Sequence, residues 1–225
     1  MSVASPDRLL VFDVAGGGCA VAVRSGGSVA AARDEPMRRG QAERLVPLIE
    51  DALTEAGLTH AELDAVGVTT GPGAFTGVRI GLATARGFAL ALGIPAIGVT
   101  SFAAIAAGVP APERPVAVVV DARLDDVYVQ VVGADGRPVT EAAALPPAAL
   151  AEHLPAGPVI LAGDGADQAE PALRAAGRTV TRAAAPPRPD PTVLAGLIAT
   201  HPLPEPDAPP PRPVYLRQPD VTLPP

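Results

Sequence analysis

Two apolar strands in this chain end in aspartate, and each leads into a hairpin. Residues 9–13 close on Asp13, and a second strand, residues 19–23, starts six positions later. Residues 116–121 close on Asp121, and residues 127–132 return after the same interval. A strand ending in Asp, then a tight hairpin, once in each half, is what a duplicated two-lobed nucleotide-binding architecture would give. The first hairpin turns on Gly16, Gly17 and Gly18. A further turn at Ser25, Gly26 and Gly27 leads to residues 28–32, which completes a three-stranded meander.

The chain has 225 residues, 48% of them hydrophobic, so it can bury a core in one large domain or two small ones. Arginine supplies all 17 basic side chains, and lysine, asparagine and tryptophan are absent. That removes a Schiff-base lysine, a P-loop lysine and N-glycosylation. The net charge of -7 argues against nucleic-acid binding by this chain alone, because phosphate contacts need a basic face. Four Phe and two Tyr also leave few stacking platforms. A role on RNA is therefore expected only through a partner. Cys19 is the single cysteine, which excludes an internal disulfide and fits a reducing cytoplasm. Residues 1–10 lack the basic-then-apolar pattern of a secretion signal. The uncharged stretch 87–112 is broken by Gly93, Pro95, Gly108 and Pro110. It reads as helix, turn, strand and helix in a core, and no membrane span is expected.

Helical spacing of Leu45, Leu48, Ile49, Ala52, Leu53 and Ala56 predicts a helix over 41–56 with Gly57 as its stop. Pro47 should bend it or mark its first turns. Residues 65–69 read as a strand, followed by a helix over 77–92 with Thr76 as its N-cap. Strands are predicted at 96–99 and 159–162, and helices at 102–107, 169–176 and 192–200. From Ala183 onward, dense proline predicts an extended tail on the surface.

The stretch from Gly71 to Gly81 is a glycine-rich loop feeding a helix start, where an anion can bind. A tight strand-to-helix turn without a ligand is the simpler reading, since no Lys or paired acid accompanies it. Gly77, Gly81, Ala85 and Ala89 then recur every four residues on a helix that is apolar nearly all round. Each helical Gly costs about 1 kcal/mol against Ala, so close approach by another element should offset it. That element is either the lobe's own sheet or a second subunit, and the sequence leaves both open. Asp13, Asp121 and Asp164 could hold a metal–nucleotide complex, or could simply cap turns. His60, His153 and His201 are too scattered for a metal site, and neither Cys19 nor a serine elbow offers a nucleophile–base pair. Arg38 and Arg39 read as a solvated pair.

The run Gln41-Ala42-Glu43-Arg44-Leu45-Val46-Pro47-Leu48-Ile49, the loop from Gly71 to Gly81, Gly98-Val99-Thr100-Ser101, the run from Asp121 to Tyr128, and Tyr215-Leu216-Arg217 together resemble the TsaB (YeaZ) family. The resemblance is dense from Leu9 to about Gln130. It implies an α/β, two-lobed actin/Hsp70/sugar-kinase-like (ribonuclease H-like) fold with a reduced second lobe. Residues 1–108 would form the N-terminal lobe, and residues 109–225 the smaller C-terminal lobe with its Pro-rich tail. It further implies a cytoplasmic, non-catalytic scaffold in the synthesis of threonylcarbamoyladenosine beside the anticodon of tRNAs. Such a scaffold dimerises with a catalytic TsaD-type subunit, which a TsaE-type ATPase joins. ATP and a metal would belong to the complex, tRNA would be met only through it, and a homodimer is a further expectation. The family pairs through the first two helices of the N-terminal lobe, here 41–56 and 77–92. Leu45, Leu48, Ile49, Leu53, Gly77, Gly81 and Ala85 are accordingly expected at the partner contact. A nucleotide-binding remnant is expected at Asp13, Asp121 and Asp164, with no catalytic residue and no metal. The family's Asp-Thr-Ser-like loop reads Asp13-Val14-Ala15 here, which removes hydroxyls that could touch a phosphate. A small ATP-dependent phosphotransferase using the same three aspartates is the alternative.

Overall fold

The computed structural model describes residues 6–110, 113–123, 125–205 and 208–217. The expected start at residues 1–5, Leu124 of the Asp121-to-Tyr128 run and the last eight residues of the Pro-rich tail lie outside the described residues.

The first sheet is built from β1 (Leu9–Asp13), β2 (Gly18–Ser25), β3 (Ser28–Pro36), β4 (Ala65–Thr69) and β5 (Ala96–Val99), in the order β3-β2-β1-β4-β5. β2 runs antiparallel to both β1 and β3, and β4 runs parallel to both β1 and β5. The second sheet comprises β6 (Val116–Asp121), β7 (Val127–Val132), β8 (Ala143–Leu145), β9 (Val159–Ala162) and β10 (Val180–Arg182), in the order β8-β7-β6-β9-β10 with the same pairing senses. The echo of Asp13 in Asp121 thus marks a full duplication, and the chain has the two-lobed actin-like fold.

Alternation along β1 decides what each face of the first sheet meets. Leu10 and Phe12 face one core, with α1 (Gln41–Ala56) and α2 (Phe75–Leu92) laid over it. Leu9 and Val11 face the opposite core, covered by α3 (Ser101–Ala107) and a C-terminal helix, Pro191–Ala199. Lobe 2 is covered more thinly, by α4 (Leu150–His153) and α5 (Ala166–Ala175), so the C-terminal helix is α6. Gly57 ends α1 at φ 66°, with its N–H returned to the carbonyls of Leu53 and Thr54, as the sequence predicts.

Two expectations change. α2 begins at Phe75, and its N-cap is Ala74 with no side-chain cap; Thr76 lies inside the first turn. α6 is not part of a surface tail, because Leu194, Ala195 and Ile198 are fully buried against β1 and β2. Gly67 in β4 leaves space for Ile198. The chain leaves lobe 2, caps α6 with Asp190 (Thr192 N and Val193 N at 2.8 and 3.0 Å) and closes the first lobe. The segment after it crosses the sheet edge, where Val214 N donates to Thr70 O at 2.9 Å.

Candidate functional site

The seven residues expected at the partner contact all lie inside lobe 1. Leu45, Leu48 and Ile49 are fully buried, Leu53 nearly so, and all four sit in the core beneath α1. On α2, a methyl group built on Gly77 would overlap the Val14 carbonyl oxygen. One built on Gly81 would lie 3.3 Å from Val68 Cγ2, and Ala85 is fully buried. The small-residue stripe therefore lets α2 settle on its own sheet just past β1. A helix apolar on every side gives no periodicity signal for which side faces inward, so the sequence could not separate the two readings. A bulky residue at Gly81 would strain this core and is not a test of association.

The opposite side of the same helix pair is open. Val46 on α1 and Phe75 on α2 are each 44% exposed, and Leu90 is 87% exposed. Ala83, Gly87 and Ala91 share the outer side of α2, and a methyl group built on Gly87 would meet nothing within 4 Å. At the start of α2 the Arg79 guanidinium lies 3.6 Å from the Phe75 ring centroid, and its Nε donates to the Tyr215 hydroxyl at 3.1 Å. Phe75 and Tyr215 pack with centroids 5.4 Å apart. Arg86 Nη2 donates to the Pro211 carbonyl at 2.6 Å. Tyr215 thus completes an aromatic–cation cluster with residues far from it in the chain, which no local pattern could have revealed.

Between the lobes, Asp13 is buried at the end of β1. It accepts the Thr69 hydroxyl and the N–H groups of Ala15 and Gly16, the latter two at 3.2 and 3.0 Å. Burial pushes its carboxyl up from the ordinary value, against those hydrogen bonds and the Arg188 charge. Asp121 accepts from Arg123 N at 2.7 Å, and its own N–H donates to Asp164 at 2.9 Å. Asp164 is likewise raised by burial. The structure therefore joins Asp121 to Asp164, with Arg123 at 3.6 and 3.8 Å from the two, and uses Asp13 to cap its own turn. Arg188 pairs with Asp34 at 2.8 Å, and Pro187, Arg188 and Pro189 fill the space beside Gly16, where the remaining cavity is about 10 Å³. That cavity is far smaller than the few hundred Å³ of a small-ligand site. Burial also pushes the Cys19 thiol up to about 11, which keeps it from acting as a thiolate. Among the described residues, no three His, Cys, Asp or Glu side chains converge on a metal-holding point, and no helix is long and apolar enough to cross a membrane.

With this geometry in view, the comparisons with known proteins are informative. A family profile described as "TsaD: tRNA N6-adenosine threonylcarbamoyltransferase" matches residues 35–176, more than half of the chain. The tRNA threonylcarbamoyladenosine biosynthesis protein TsaB of Escherichia coli K12 is 37% identical over 123 residues, which are 54% of this chain. The match spans 53%, about half, of the length of that curated relative. The solved YeaZ from Pseudomonas aeruginosa is 31% identical with a TM-score of 0.74, covering 93% of this chain and 100% of its own. A further Pseudomonas aeruginosa structure, described as similar to peptidase YeaZ, is 30% identical with a TM-score of 0.75, covering 94% and 100%. By end-to-end likeness to these structures and by its profile match, the chain belongs to the TsaB (YeaZ) family.

Proposed function

We propose that this chain is a non-catalytic subunit of the machinery that places a threonylcarbamoyl group on the adenosine beside the anticodon of tRNAs. It acts by docking on a catalytic TsaD-type subunit through the outer faces of α1 and α2. The observation that carries this reading is where apolar surface is left open. Among the described residues the exposed large hydrophobics are Val46, Phe75, Leu90, Val139 and Tyr215, and four of these five lie on α1, on α2 or packed against Phe75. Concentrated apolar exposure marks an interaction surface. The filled interlobe cleft supports a structural role over a phosphotransferase. Partner binding would favour the competent state of the catalytic subunit, a population shift that needs no chemistry here. A TsaE-type ATPase would join the pair, ATP and metal would be used by the complex, and tRNA would be met through it. The same face could pair two copies of this chain.

Leu90→Glu puts a charge on the outer face without touching the core. Mixed with the catalytic subunit, this variant should lose the heterodimer mass in light scattering and the threonylcarbamoyl transfer that depends on it. Val139→Glu, on the other lobe, should keep both. If the Leu90→Glu variant still assembles and supports transfer, the docking face is elsewhere.

A further inference from the structure

Aromatic side chains are few in this chain, four Phe and two Tyr, and they are placed unevenly. Phe12 and Phe102 are fully buried, Phe88 and Tyr128 are half-buried, and Phe75 and Tyr215 are exposed. The two exposed rings are neighbours, with centroids 5.4 Å apart and openness of 44% and 45%. Phe75 belongs to the start of α2, and Tyr215 to the C-terminal segment, residues 208–217. That segment is fastened without its tyrosine. Val214 N donates to Thr70 O at 2.9 Å, Arg86 holds the Pro211 carbonyl at 2.6 Å, Leu216 packs on the core that α3 shares with β6, and Arg217 lies 3.7 Å from Asp126. Pro209, Pro210, Pro211 and Pro213 also fix φ along it. Tyr215 therefore sits between two held residues, with its ring in solvent on a support that has little freedom left to lose. Half-open aromatic rings on rigid supports are what interface anchors need, because a partner covers them at small entropic cost. The cation beside the rings is set in the same way. Arg79 lies 3.6 Å from the Phe75 centroid, donates to the Tyr215 hydroxyl at 3.1 Å and, among the described residues, pairs with no carboxylate. α2 carries Arg79 and Arg86 and no acid. The surface that fits here is apolar and offers an acceptor oxygen to a guanidinium.

We propose that the C-terminal segment is part of the docking face and that the Tyr215 ring is a direct contact of the catalytic subunit. Such a contact rests on the docking proposal, in which Phe75 belongs to the interface: a surface laid over Phe75 meets Tyr215 beside it. It extends the face past the two helices, onto a segment that crosses the edge of the first sheet and reaches lobe 2 through Arg217.

The test is calorimetric titration of the full chain with the catalytic subunit, wild type against four variants, with a melting curve of each free variant to show that it is folded. Tyr215→Ala should bind at least about tenfold more weakly, as loss of an aromatic anchor does. Tyr215→Phe keeps the ring, loses the bond to Arg79 and should stay within about threefold of wild type. Arg217→Met releases the Asp126 pair without touching the ring and should stay within the same limit. Leu90→Glu should abolish binding. Wild-type affinity in Tyr215→Ala overturns the proposal. So does a loss in Tyr215→Phe or Arg217→Met as large as that in Tyr215→Ala, since Tyr215 would then only fasten the segment. If Leu90→Glu still fails to bind in either case, docking through α2 stands without Tyr215; if Leu90→Glu binds normally as well, both proposals fall.

Discussion

The two lobes are built on one ladder and differ in what covers it. β3 has nine residues where its counterpart β8 has three. α1 and α2 have 16 and 18 residues, whereas α4 and α5 have four and ten. Both sheets still need apolar cover on each face; in lobe 2 the short helices cover one face with Leu150, Ala169 and Leu173, all fully buried, and α3 covers the other with Phe102 and Ile105. The added length in lobe 1 is therefore more than a core of this topology requires, and it is the part that leaves Leu90 in solvent. Lobe 2 compensates for its thin cover with hydrogen bonds. The Arg178 guanidinium donates to the carbonyls of Ala151 at 2.7 Å, Leu154 and Gly157 at 3.3 Å, and Pro155, tying down the chain around the end of α4.

Each lobe has a glycine pressed hard against a carbonyl at or just past its first strand, and these positions give the largest expected effect. A methyl group at Gly77 would overlap the Val14 carbonyl, and one at Gly163 would overlap that of Val119. Gly163 also sits at φ 100°, where an L side chain is strained. Gly77→Ala should cost about 1–3 kcal/mol by overpacking. Gly163→Ala should cost about 1 kcal/mol more through the added backbone strain. Urea unfolding measures both, and equal losses would show that the two approaches are equivalent. The arginines come next. Arg178→Met should cost about 1–3 kcal/mol, because carbonyls that are mostly part-buried lose charged donors. Arg44→Met in lobe 1 removes pairs with Glu35 at 2.7 Å and Asp51 at 3.4 Å on the surface, and should cost less than about 1 kcal/mol. A comparable loss at Arg44 would mean that lobe 1 leans on its arginine as much as lobe 2 does.

The same asymmetry governed what could be read in advance. α1, β4, β5, β6, β7 and β9 match the predicted spans because each carries its own apolar period between Gly, Pro or Asp breaks. β8 and β10 were missed: three residues in Ala- and Thr-containing stretches have no period, and they become strands only because β7 and β9 offer an edge. α6 was recognisable as a helix, but the proline around it hid that its Leu194 and Ile198 close the opposite lobe. On α1 and α2, the residues singled out from the sequence, Leu45, Leu48, Ile49, Leu53, Gly77, Gly81 and Ala85, are those turned toward the lobe's own core. Gly and Ala at four-residue spacing allow close approach by any backbone, and here the nearest one belongs to the same lobe. The apolar residues that do reach solvent, Leu90 and Val46, sit among apolar neighbours and carried no distinguishing signal.

Gly87 gives the smallest effect and the most discriminating one. It lies in the interior of α2, exposed, with nothing within 4 Å of a built methyl group, so no contact inside the chain offsets its helical cost. Gly196 in α6 is in the same position. Replacing either by Ala should raise the stability of the lone chain by about 0.5–1 kcal/mol. Only Gly87 faces the proposed docking side, where an added methyl group would hold a neighbouring helix away. Gly87→Ala should therefore raise the melting temperature of the free chain while weakening its association with the catalytic subunit. Gly196→Ala should raise the first and leave the second unchanged. If both variants gain stability and both associate normally, Gly87 is no part of a contact, and the long helices of lobe 1 need another explanation.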